Sequence, residues 1–239
     1  MTDQVTSAQQ IDTDDSRVIS YRTLRKAIGI VGFALPLVLV IGNVVFLILR
    51  GEVPALGDSI SGYYYTVMGG VLVGSLCAIG VFLLSYRGYD DPAWPNVRGP
   101  EDLVSSAAGI GAIGVALFPT PKGSDPTTLE EFLGADRLGL LHVGSAALFF
   151  IALAYILIKL FTGRDRAKNA STTEAKKERN NRIYKVCGWA ILIFIAAIAA
   201  LWFLPSESPI RQWHLVLWFE WGAILAFSVS WFIKGLERT

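Results

Sequence analysis

The chain of 239 residues holds two histidines, two cysteines and two methionines, and 17% of its residues are charged. Each scarcity closes off a class of function. Cys77 and Cys187 both lie inside apolar runs, where a thiol behaves as a small buried hydrophobe, so neither a disulfide framework nor a thiolate metal site is expected. A catalytic zinc commonly takes about three protein ligands. With only His142 and His214 and no His-x-x-x-His pair, such a site would have to recruit Asp58, Asp136 or Glu220. No nucleophile elbow, phosphate loop or dinucleotide fingerprint occurs in a suitable context. The glycine run "GIGAIG" lies within an apolar segment with no strand before it. The net charge of +1 is uninformative by itself, because membrane proteins separate their charges by side; neither a nucleic-acid partner nor a cofactor is expected.

Apolar residues are what the chain has in plenty. At 53% hydrophobic content, a soluble domain of this size would lack the polar surface to cover itself, and the natural solvent is a membrane. Residues 1–22 carry four aspartates and almost no large apolar side chains, which predicts a disordered cytoplasmic tail before a transmembrane domain over 23–236. Crossing ~30 Å of hydrocarbon takes about 20 apolar residues per helix. Six runs approach this length: 27–49, 64–85, 103–118, 138–161, 183–204 and 213–233. The third is short and is expected to borrow a turn from "PEDLV". The expected fold is therefore all-α, a polytopic bundle of six transmembrane helices.

Charge sets the orientation. Seventeen Lys and Arg residues fall in the termini and alternate loops, against four (Arg50, Lys122, Arg137, Arg211) in the remaining loops. By the positive-inside rule both termini lie in the cytoplasm, and a multi-pass protein of a prokaryotic plasma membrane (a cell inner membrane) is expected. The basic stretch at 164–185 would attract anionic lipid head groups, or serve only as a topology signal. Tyr63, Tyr64, Tyr65, Tyr86, Trp202, Trp213 and Trp231 fall near span ends and are read as interfacial anchors. Small residues at four-residue spacing, Gly70, Gly74 and Ala78 against Ala108, Ala112 and Ala116, predict close packing of spans two and three.

Ionisable groups inside a membrane are costly and are functional candidates by default. Glu220 lies roughly 10 Å, and His142 about 6 Å, below the outer boundary at ~1.5 Å per residue. Asn43 joins the same layer, so a polar cluster of the three is expected: a clasp between helices, a ligand site or part of a proton path. Above it, "GEVPALGDSISGYYYT" and the acidic "TPKGSDPTTLEEFLGADR" form two outer loops. The second holds a candidate short amphipathic helix capped by Thr127 or Thr128. Ser61, Tyr64, Asp136, Trp213 and His214 complete the ligand-binding candidates.

"LHVGSAALFFIALAYILI", the "SISGYYYT" element and the terminal "WFEWGAILAFSVSW" helix resemble corresponding segments of DRAM-like six-span membrane proteins and related uncharacterised prokaryotic six-span families. That resemblance implies a six-span membrane protein, with lipid handling among the roles of eukaryotic members. The departure is Gly62 and a tyrosine triplet where an acidic or proline element is expected. The sequence thus points to a non-enzymatic protein binding a lipid or amphipathic ligand in an outer-leaflet-facing cavity. A metal-dependent membrane hydrolase and a small proton-linked transporter are the alternatives.

Overall fold

The computed structural model describes residues 2–86, 99–122, 124–163, 174–204 and 213–237, with side chains from residue 22 onward except at Pro100 and Gly163. Among the described residues the structure is helical and contains no strand. In chain order come α1 (Thr2–Leu49), a 3-10 turn (Ser61–Tyr65), α2 (Gly69–Ser85), α3 (Pro100–Leu117), α4 (Thr128–Leu133), α5 (Ala135–Tyr155), α6 (Glu174–Leu201) and α7 (Leu215–Leu236). A π-helical stretch, Ile156–Leu160, and a last turn, Phe161–Gly163, prolong α5. Four segments are long and apolar enough to cross a membrane: Arg22–Leu49, Ala135–Leu160, Glu174–Leu201 and Leu215–Leu236. Helix α2 is a shorter apolar helix of 17 residues. Helix α3 does borrow its first turn from Pro100, Glu101 and Asp102, where proline at the helix start costs no hydrogen bond and two carboxylates meet the positive end of the helix dipole.

The six long helices form a closed ring in which each packs on the next in sequence and α7 returns to α1, the most extensive contact of all. Inside the ring, Ile28, Ile79, Leu83, Phe149, Leu153, Phe227 and Trp231 build the core. Outside it Ile30, Ile41, Ile110, Ile151, Ile193 and Trp218 are exposed, an apolar girdle that suits lipid contact.

Helices meet where they can approach backbone to backbone. A Cβ added to Gly109 would stand 2.7 Å from the Gly80 carbonyl oxygen, and one added to Gly80 would stand 2.9 Å from that of Gly109. The α2–α3 crossing therefore requires glycine on both sides. Gly111, on the opposite side of α3, would meet Phe149 N of α5 at 2.6 Å. "GIGAIG" is thus a double packing seam. Close packing of spans two and three follows expectation, but a Cβ on Gly70 or Gly74 would meet nothing within 4 Å. The small-residue stripe on α3 (Ala108, Ala112, Ala116) is buried, whereas on α2 the contact runs through Gly80.

Four expectations change. Helix α1 begins at Thr2, where a disordered tail over 1–22 was expected; once a long apolar helix has nucleated, adding polar turns costs little. The expected second span loses its first turn, because Ser61–Tyr65 is a 3-10 turn and α2 starts at Gly69. Tyr63, Tyr86 and Trp231 are buried, with Trp231 at 0% exposure; these rings pack inside the ring, not at a lipid interface. Trp202 and Trp213 stay exposed at 62% and 66%. In the basic stretch expected over 164–185, residues 164–173 lie outside the described residues, and from Glu174 the chain is already helix α6.

Candidate functional site

One end of the ring carries the long connections 50–68 and 118–134 and the start of α7; we call it the loop end. Glu220, in the second turn of α7, reaches the first connection. Its Oε2 accepts from Ile60 N at 2.5 Å and its Oε1 from Ser61 Oγ at 3.2 Å. These donors open the 3-10 turn, so the carboxylate caps that turn as a capping side chain caps a helix. The same loop is pinned once more, by Leu217 N donating to the Asp58 carbonyl at 3.1 Å; His214 Nδ1 lies 3.0 Å from the exposed Asp58 carboxylate without making a hydrogen bond. His214 caps α7 in a left-handed conformation, φ 50, which a non-glycine residue adopts at a cost. Tyr63 is buried beneath the loop and accepts from Gly57 N at 3.2 Å. Below Ile60 and Ser61 lies an internal cavity of about 50 Å³ walled by Leu35, Leu72, Leu76, Phe149 and Ile224, with Glu220 at its roof.

His142 faces elsewhere. Its Nδ1 lies 2.6 Å from the Phe118 carbonyl oxygen at the end of α3. A carbonyl only accepts, so Nδ1 carries the proton and, in the neutral ring, Nε2 carries the lone pair. That ring is 6% exposed and lines an open groove of about 400 Å³ with Thr120, Pro121, Asp136, Leu140, Val143 and Trp202. The groove is largely apolar, walled by side chains such as Leu140, Val143 and Trp202, with Asp136 and His142 supplying a small polar part.

The local sequence explains the groove. Thr127 Oγ1 accepts from Glu130 N at 3.2 Å and caps α4, the short helix expected there. Glu130 Oε2 accepts from Lys122 N at 3.1 Å, and Tyr65 OH donates to the Thr120 carbonyl at 2.5 Å. These bonds hold residues 120–122 against the helix ends. Gly134, at φ 84, turns the chain from α4 into α5, a conformation that suits glycine, and sets Asp136 in the first turn of α5.

The expected cluster of Asn43, His142 and Glu220 is distributed. Asn43 is buried on α1, but among the described residues no hydrogen bond joins any two of the three; Glu220 belongs to the loop latch and His142 to the groove. The structure does bring together Glu220 with Ser61, and it sets His142 and Asp136 along the same groove with no hydrogen bond between them. Tyr64 packs edge-on against Tyr65, ring centroids 5.1 Å apart, and Trp213 is exposed beside the His214 cap. Among the described residues no three His, Cys, Asp or Glu side chains gather as a metal site requires.

At the opposite end the structure shows a network that sequence reasoning missed. Lys234 is 4% exposed; its Nζ lies 2.8 Å from Glu237 Oε2 and over the rings of Phe161 and Tyr184, 5.2 and 5.5 Å from their centroids. Asn180 Nδ2 and Tyr184 OH donate to Glu237 Oε1 at 2.8 and 2.6 Å. Burial alone would push the Glu237 carboxyl up, but the Lys234 ammonium and these donors together hold it below the ordinary glutamate value. Arg25 donates to Tyr86 OH at 2.8 Å, and Tyr86 packs edge-on against Trp231. Helices α1, α2, α5, α6 and α7 are tied here. The available sign was a lysine three residues before a glutamate at the end of an apolar run.

No protein-family model, no curated protein and no solved structure matches the chain.

Proposed function

We propose that the protein crosses the membrane six times, with both termini in the cytoplasm, and binds a membrane lipid, or another amphipathic molecule with a lipid-like tail, in the groove between α5 and the end of α6. The observation that carries this reading is the groove itself: about 400 Å³, the size range of small-molecule sites, with an imidazole and a carboxylate set into a largely apolar lining. In the six-span orientation this end faces the outer leaflet, and the Lys- and Arg-rich ends face the cytoplasm. A lipid seated here lays its tail along the apolar lining and presents its head group to Asp136 in the first turn of α5, with His142 six residues further along the helix. The internal cavity under Glu220, at about 50 Å³, has room for a few waters and not for a tail. Glu220 accordingly acts on the loop, and the ligand-contacting role passes to His142 and Asp136.

Gly139 offers the test. It lines the groove, and a Cβ there would make an ordinary contact of 3.4 Å with Pro121, so Gly139→Phe sends a ring into the groove without displacing a helix. Lipid extracted from purified, detergent-washed protein is expected at close to one molecule per chain for the wild type, and at a small fraction of that for Gly139→Phe at unchanged thermal stability. Equal lipid content in the two proteins would refute the groove as the site.

A further inference from the structure

We propose that the groove selects a lipid whose head group carries a primary ammonium, in preference to a quaternary ammonium or an anionic head group; this rests on the reading that the groove holds a lipid. Three groups in the lining can meet a head group. The Asp136 carboxylate supplies negative charge from the first turn of α5. His142, 6% exposed, spends its Nδ1 proton on Phe118, and among the described residues nothing donates to Nε2. Trp202, 62% exposed, lines the same groove and offers a ring face to a cation.

Hydrogen bonding decides between cations. A ring face attracts a primary and a quaternary ammonium alike, but only the primary one has N–H groups to donate to a carboxylate and to an imidazole lone pair. The buried His142 Nε2, left without a donor, penalises the quaternary head group, and Asp136, at the exposed rim, adds a charge-assisted hydrogen bond that only the primary ammonium can donate. Charge decides against anions. Residues 121–137 hold Asp125, Glu130, Glu131 and Asp136 against Lys122 and Arg137, and Lys122 Nζ already lies 3.3 Å from Asp125. An anionic head group would meet net repulsion at this rim.

Native mass spectrometry on the full chain, with equal amounts of dioleoyl phosphatidylethanolamine, phosphatidylcholine and phosphatidylglycerol, tests this. Phosphatidylethanolamine occupancy is expected to exceed phosphatidylcholine by about five- to tenfold. Asp136→Asn and Trp202→Leu, both at exposed positions, are each expected to lower phosphatidylethanolamine occupancy, with Asp136→Asn bringing it close to the phosphatidylcholine level. Equal occupancy by the three lipids, or a preference for phosphatidylglycerol, would overturn the head-group assignment while leaving the groove as a lipid site. A phosphatidylethanolamine preference untouched by Asp136→Asn would overturn it too, by moving the selectivity elsewhere. Retention of none of the three would overturn the lipid reading along with it.

Discussion

Replacing Glu220 by leucine separates two effects that pull in opposite directions. The carboxylate accepts from Ile60 N and Ser61 Oγ, and removing it strands the Ile60 amide, which is buried with its residue at 4% exposure. Losing a hydrogen bond to a charged group costs about 1.5–3 kcal/mol. Against this, taking a carboxylate out of an apolar interior removes a desolvation penalty of several kcal/mol, so well-packed apolar replacements are often neutral for global stability. The melting temperature therefore does not isolate the latch; local opening of the loop does. Hydrogen exchange over residues 57–66 is expected to speed up by about ten- to a hundredfold in Glu220→Leu, from 1.5–3 kcal/mol at about 1.4 kcal/mol per decade. Glu220→Gln keeps an acceptor for Ile60, and the Ser61 hydroxyl can turn to accept from the new amide, so its exchange should rise much less. Ser61→Ala removes only the longer bond and should resemble Gln. If Glu220→Leu leaves exchange over 57–66 within about twofold of wild type, or if Gln and Leu behave alike, the latch is not what orders the loop.

At the other end of the ring, Glu237 is ionised more readily than an ordinary glutamate, so its contribution is complete above the ordinary value of 4.5 and is lost as pH falls through its lower folded value. Glu237→Gln should lower the melting temperature at pH 7, and the gap from wild type should narrow on acidification below 4.5; a gap constant with pH would contradict the network. Gly109→Ala should destabilise by about 1–3 kcal/mol through overpacking against the Gly80 carbonyl, whereas Gly74→Ala, with open space around it, should be neutral or stabilise by up to about 1 kcal/mol; thermal denaturation in detergent compares them directly. For the six-span proposal, single cysteines in a Cys77→Ala, Cys187→Ala background, placed at Asp125 and at Lys177, should react with an impermeant maleimide from opposite faces of the membrane; labelling of both from the same face would break the topology.

The helices were readable because an apolar run long enough for a bilayer has few other ways to satisfy its backbone. Local chemistry with a one-turn reach was readable as well: Thr127 caps α4 and Pro100 opens α3, as their residue types suggest. What failed to transfer was direction around the helix axis. Depth can be counted along a sequence, so Asn43, His142 and Glu220 share a layer on paper; which neighbour each faces depends on helix rotation, set by contacts such as Gly80 with Gly109. The aromatic belt failed for a related reason. Trp231 and Tyr86 lie near span ends, yet Phe161, Phe227 and the Arg25 side chain draw them inward. The loop latch was half visible: Glu220 stood out as a costly intramembrane carboxylate, but its partners, a backbone amide and a serine some 160 residues away, leave no local pattern.

The groove beside His142 is proposed to hold a lipid of one kind. A photo-crosslinking residue placed at Val143 in the groove and, separately, at Ile193 on the exposed outer face of α6 tests it in native membranes, with the adducts identified by mass spectrometry. The groove position is expected to yield adducts dominated by a single lipid class, while Ile193 samples the bulk composition of the bilayer. Identical lipid distributions at the two positions would mean that the groove meets only passing lipid, and would contradict the claim.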